Sequence, residues 1–157
     1  MIIFQVERGH FNLEKQMREA AVMLVIKDGR ILAVSRRYDK TKFGLPGGKA
    51  EQNESAEAAA IRECFEETGV KVSKCAFVFH RTELRDRPEG EDFYCYCYYA
   101  LDWSGEPHNS EEGEVAWLTE EELIGDKGAF GDYNRRTLIS FRTLYPEVLL
   151  PNAQFGE

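Results

Sequence analysis

Residues 47–70, GGKAEQNESAEAAAIRECFEETGV, leave the chain few choices of local structure. Pro46 and the paired glycines Gly47 and Gly48 predict a loop, because that composition suits neither a helix nor a central strand. Ser55 is a natural N-cap and Gly69 a natural residue just past a C-terminus, which bounds a helix of roughly thirteen residues. At 3.6 residues per turn, Ala59, Glu63, Glu66 and Glu67 gather on one side, and Ala58, Ile61 and Phe65 on the other. The expected wet face is almost wholly carboxylate. Like charges three and four residues apart repel by a few tenths of a kcal/mol per pair, so such a helix calls for something positive beside it.

The flanking segments predict a sheet. AAVMLVIK (20–27) and RILAVS (30–35) are apolar, β-branched runs separated by Asp28-Gly29, a dipeptide favoured in type I′ hairpin turns, and read as two adjacent antiparallel strands. Beyond the helix, AFVFH (76–80) and FYCYCYYAL (93–101) read as strands on either side of a charged loop, and VAWL (115–118) as a short further one. Thr119 with Glu122 fits a capping box, and YNRRTLISFRTLY (133–145) sets Leu138, Phe141 and Tyr145 at helical spacing before Pro146 ends the helix. The expected class is α/β (α+β), with helices packed on a sheet. No repeat or linker divides the chain, so residues 1–157 are expected to form a single domain.

Composition narrows the partners. A chain of 157 residues, 43% hydrophobic and 12% aromatic, has enough apolar surface for a core of its own. The formal charge of -8 disfavours nonspecific binding to nucleic acid or anionic lipid. No apolar run approaches the ~20 residues that span a bilayer, and the N-terminus does not read as a signal peptide. Cys64, Cys75, Cys95 and Cys97 lack C-x-x-C spacing, which argues for reduced thiols, a cytoplasmic location and no zinc. Cys95 and Cys97 share one face of their strand and read as small core residues.

Gly48, five residues, Glu54, seven residues, then Arg62-Glu63-Cys64-Phe65-Glu66-Glu67-Thr68-Gly69-Val70 resembles the Nudix box, G-x5-E-x7-R-E-U-x-E-E-x-G-U, where U is a bulky aliphatic. Every fixed residue is present in register, and the one departure is Cys64, a smaller apolar side chain at the first U. The resemblance implies a Nudix hydrolase on an α/β/α sandwich: a mixed β-sheet with the box packed on it as loop, helix and loop. It implies Mg²⁺ as the cofactor, with Mn²⁺ as a substitute, and a nucleoside diphosphate linked to another group as the substrate. In the family the glutamates matching Glu63 and Glu67 are the central metal ligands, Glu66 is an auxiliary ligand or base, and the carbonyl of the glycine matching Gly47 joins the coordination shell. The arginine matching Arg62 and the glutamate matching Glu54 usually form a salt bridge in the family, which implies that this pair positions the helix and its carboxylates. The residue chemistry agrees, since Mg²⁺ is typically held by carboxylates, water and phosphate oxygens.

Outside the box the expectations are finer. A loop glutamate often completes the site in this family, and Glu111, Glu112 and Glu114 stand where it would fall, with Glu111 a metal candidate and Glu112 a catalytic one. Arg36, Arg37 and Lys49 are candidates for phosphate contact, although alternation sends Arg36 and Arg37 to opposite faces. FGDYNRRTLISF (130–141) resembles the MutT-type stretch in which an asparagine reads a purine edge, which makes Asn134 a base-contact candidate, with a role at the helix start as the alternative. Tyr38, Phe43 and Trp103 are candidates for stacking or for the core. Residues 85–88 match neither the ADP-ribose nor the dinucleoside polyphosphate pattern. The first expectation is therefore hydrolysis of a nucleoside triphosphate, oxidised purines included, to monophosphate and pyrophosphate. ADP-ribose or another nucleoside diphosphate derivative comes next, and a non-catalytic nucleotide sensor is the alternative of another class. IIFQV (2–6) is compatible with a homodimer strand and equally with a monomer's sheet edge.

Overall fold

The computed structural model describes residues 18–83, 93–148 and 150. The segments 2–6 and 85–88 considered above lie outside them. Chain order is β1 (Arg18–Leu24), β2 (Ile26–Lys27), β3 (Arg30–Ser35), β4 (Phe43–Gly44), β5 (Gly47–Lys49), α1 (Ala56–Thr68), β6 (Lys71–Glu83), β7 (Phe93–Ser104), β8 (Val115–Leu118), α2 (Glu120–Ile124) and α3 (Gly131–Leu144). One sheet has the order β5-β1-β7-β6 and is mixed: β1 runs parallel to β7, and the other two pairings are antiparallel. The second joins β2, β3, β4 and β8, with β3 pairing all the others.

The turn at Asp28-Gly29 forms as expected, with φ of 51° and 73°, values that a type I′ turn requires. The run 20–27 is not one strand, however. It breaks at Val25, whose carbonyl accepts from the Leu32 amide at 2.9 Å. β1 goes to the first sheet, and only Ile26–Lys27 pairs with β3. Ala21, Met23, Leu24 and Val25 are all fully buried, and so continuous an apolar run carries no alternation from which to read the change of sheet. The glycine-rich loop contains short β4 and β5, and β5 is an edge strand, a place that glycines tolerate.

α1 is capped as the sequence indicates. Ser55 Oγ accepts from the Ala58 amide at 3.1 Å, and Gly69 is left-handed with its amide donating to Phe65 O. The expected division of its faces is wrong. Ala56, Ala59, Ala60, Cys64 and Thr68 are buried, while Ala58 and Phe65 are exposed. Glu63 and Glu67 fall inside the buried arc and are only partly accessible. What they face is not bulk water but the glycine strand β5, and the small alanines let the helix approach closely enough for that.

α1 packs Ala56, Ala59, Ala60 and Cys64 onto Ala21, Met23, Val72 and Ala100 on one face. On the other, Leu123 of α2 and Leu138 and Phe141 of α3 meet Leu24, Ile31, Cys97 and Leu118. α3 begins at Gly131, so Asn134 lies within its first turn and is not its cap. Cys97 is buried as expected; Cys95 is only partly so. All four cysteines are free thiols, and burial pushes Cys64 and Cys75 up to about 12.

Candidate active site

Two glycines let three elements meet. A Cβ on Gly47 would lie 2.2 Å from the Ala21 carbonyl oxygen, and one on Gly48 would lie 2.7 Å from Cδ of Glu63. A side chain on Gly47 would push β5 off β1, and one on Gly48 would displace the Glu63 carboxylate. In their absence the Gly47 amide reaches Glu67 and donates to its Oε1 at 2.7 Å.

Arg62 organises the acidic face from within. Its Nε and Nη2 form a fork on the two oxygens of Glu54 at 2.8 and 2.9 Å, and Nη1 reaches Glu63 Oε1 at 2.9 Å and Glu66 Oε2 at 3.2 Å. Nη2 also donates to the Lys49 carbonyl at 3.2 Å, tying the helix to the loop. A planar guanidinium with five donors is suited to this. Arg62 holds the Glu54 carboxyl down at about 2, with help from the Glu51 amide. The positive partner that the acidic helix requires is thus supplied partly from its own sequence.

Glu63, Glu67 and Glu112 bring one carboxylate oxygen each to within 4.8 Å of one another. Burial is the main reason that Glu63 lies above the usual carboxylate range. Burial likewise pushes Glu67 up to about 8, against the opposing pull of the Gly47 amide, and the charges of Glu63 and Glu112 add to the rise. Carboxylates crowded and desolvated in this way are stabilised in their ionised form by a cation. The donors are all hard oxygens, which suits Mg²⁺ or Mn²⁺ and fits no soft ion. Among the described residues, this is the group of three or more acidic, histidine or cysteine side chains with metal-ligand spacing. Glu66 is exposed and held by Arg62. Glu111 and Glu114 lie outside the cluster, and both are exposed.

Beside the carboxylates opens a cleft of about 410 Å³ lined by Gly47 and Gly48, Arg36, Lys49 and Asn134 together with Phe93, Cys95, Phe130 and Tyr133. Arg36 lies 4.8 Å from the Phe130 ring centre, and Lys49 Nζ 5.1 Å from that of Phe93. Arg37 does not line the cleft. Asn134 is fully buried, and its Nδ2 donates to the Leu123 carbonyl at 3.1 Å. None of the aromatic candidates reaches the cleft: Tyr38 is 94% exposed, Phe43 packs in the core, and Trp103 packs against Trp117. Phe93, Cys95, Phe130 and Tyr133 escape a reading of the sequence. Alternation shows that Phe93 and Cys95 share a face, but not that this face meets a cleft.

The fold and site define an α+β sandwich in which a carboxylate cluster adjoins a cleft carrying cationic side chains. The chain belongs to the Nudix family, since residues 16–139 match the model of the NUDIX domain. It is 33% identical over 112 residues to a MutT-like protein of Streptomyces ambofaciens, an alignment covering 66% of this chain and 64% of that one. It is 27% identical over 113 residues to the CTP pyrophosphohydrolase of Escherichia coli K12, covering 69% and 81%. A crystal structure of a MutT NUDIX hydrolase from Burkholderia pseudomallei superposes with a TM-score of 0.66 at 24% identity, covering 78% of this chain and 98% of the other. The chain thus spans about 64% of the length of the Streptomyces relative. No helix among the described residues is long and apolar enough to cross a membrane.

Proposed function

We propose that this chain hydrolyses a nucleoside triphosphate to the monophosphate and pyrophosphate with Mg²⁺, or Mn²⁺ in its place. The observation that carries this reading is the juxtaposition of the Glu63, Glu67 and Glu112 carboxylates, within 4.8 Å of one another, with the adjoining cleft. When bound, the divalent ion supplies positive charge that acidifies a water and offsets charge on the departing phosphate oxygen. Glu63 and Glu67 would hold it, Glu112 and the Gly47 carbonyl would complete its ligands, and Glu66 would be auxiliary. Arg62 keeps Glu63 aimed while Glu54 keeps Arg62 in place.

Arg36 and Lys49, on the cleft wall, neutralise phosphate oxygens and orient the chain of phosphorus atoms. Glu112, the exposed member of the three, takes the proton of the attacking water as its oxygen bonds to phosphorus and the bridging P–O bond breaks. Phe130 lines the cleft with half its surface open, and a base can stack on it. Asn134 offers an amide to a purine edge from the same cleft. The E. coli relative acts on a pyrimidine triphosphate by its name, so the decisive panel holds normal and oxidised purine triphosphates, CTP and ADP-ribose. Pyrophosphate release with Mg²⁺ is expected from a purine triphosphate, abolished by EDTA and reduced by about a hundredfold or more in Glu67→Gln. Release that persists in EDTA, or tight nucleotide binding without any release, overturns the reading.

A further inference from the structure

Glu111 and Glu112 form the tip of a tight turn closed by Ser110 and Gly113, whose amides and carbonyls exchange bonds of 3.0 and 3.3 Å. Only Glu112 joins the carboxylate cluster. Among the described residues, neither the neighbours of Glu112 nor α1 bonds to its side chain, so its aim is set through the backbone of the turn.

The turn is fastened to the end of β3. The β3–β8 ladder runs from Ile31↔Leu118 to Val34↔Val115, so the next pair is Ser35 with Glu114. There the Ser35 amide donates to the Glu114 carbonyl at 2.8 Å. The Glu114 amide, however, donates to the Ser35 side-chain Oγ at 2.9 Å. A hydroxyl thus receives the bond that an antiparallel ladder would direct to a main-chain carbonyl. Gly113 is buried against the same residue, and a Cβ there would come within 2.6 Å of the Ser35 carbonyl oxygen and 3.0 Å of its Oγ. Ser35 is itself 4% exposed, so no solvent competes for its hydroxyl. The following residue is Arg36, which lines the cleft and whose charge acts on Glu67.

We infer that Ser35 is a positioning residue for the metal centre: its hydroxyl, with Gly113 pressed against it, sets where the Glu112 carboxylate stands relative to Glu63 and Glu67. This inference rests on the proposed function. The hydroxyl acts through the backbone of the turn and touches neither ion nor substrate.

The experiment measures Mn²⁺ affinity by calorimetry without nucleotide, and unfolding in EDTA, for the wild type, Ser35→Ala, Glu112→Gln and the double variant. Ser35→Ala is expected to weaken Mn²⁺ binding by about tenfold. The double variant should bind no more weakly than Glu112→Gln alone, because a misplaced carboxylate and an absent one cost the same site. Losses that multiply in the double variant, or Ser35→Ala binding as tightly as the wild type, overturn the inference. So does an unchanged affinity in Glu112→Gln; if Glu67→Gln still loses the ion in that case, the metal reading stands while this one falls. Unfolding in EDTA separates aim from stability: a variant that melts earlier yet keeps its Mn²⁺ affinity counts against Ser35.

Discussion

At the scale of single residues, Glu67 shows what the site demands of the chain. With its carboxyl pushed up to about 8 by burial, against an ordinary value of 4.5, the folded, metal-free protein holds a proton that the unfolded chain has released. Between those values the folded state binds more protons, so stability falls as pH rises through the window. Urea unfolding in EDTA should therefore show a loss of a few kcal/mol between about pH 5 and pH 8, and Glu67→Gln should flatten it. Glu54 acts in the opposite sense: its contribution is complete above its ordinary value and disappears as pH falls toward about 2. The adjacent glycines separate fold from site. A Gly48→Ala methyl meets the flexible end of Glu63, so the protein should fold with nearly native stability while Mn²⁺ affinity drops by about tenfold or more in calorimetry. A Gly47→Ala methyl meets the backbone of β1 instead, and the protein should lose roughly 1–3 kcal/mol of stability in the same melts. Glu63 and Glu67 were legible because one helix fixes their spacing. Glu112 could not be told from Glu111 or Glu114, because its turn is fastened through the Glu114 amide to a serine 79 positions before Glu114.

At the scale of elements, capping residues and the hairpin turn carried clear local signals, since Ser55, Gly69, Asp28-Gly29 and the Thr119–Glu122 box each act on their own backbone. What joins elements did not show. Glu120 of α2 is buried, and both its carboxylate oxygens accept from the guanidinium of Arg142 on α3. In the sequence they are merely an acidic first turn and a basic last turn. Arg142→Met leaves a buried carboxylate unpaired and should cost about 3–5 kcal/mol, whereas adding Glu120→Leu should recover most of it, because an apolar pair needs no compensation. Chemical unfolding of the two variants checks this, and equal losses in both would contradict it. The helix faces differ from the periodic pattern for a related reason: periodicity finds the arc that is alike, and here the buried arc mixes alanines with two carboxylates.

At the scale of the whole molecule, the sequence conveyed the layered α+β architecture but not the division of its strands between two sheets. A run as uniformly apolar as AAVMLVI fits either sheet, and only three-dimensional pairing decides where it crosses. The acidic net charge of -8 argues against a polyanion partner, yet the cleft gathers Arg36 and Lys49 beside it; the balance of the whole says little about the field in one hollow. The crossing at Val25 ties these scales together. One ribbon is stitched into both sheets without slack, so neither can peel away alone. The amides of Met23, bonded to the Pro46 carbonyl, and Leu32, bonded to that of Val25, should accordingly exchange with solvent only through the same global opening. The hollow beside the first sheet then behaves as a vessel of fixed shape, to which a ligand must fit itself.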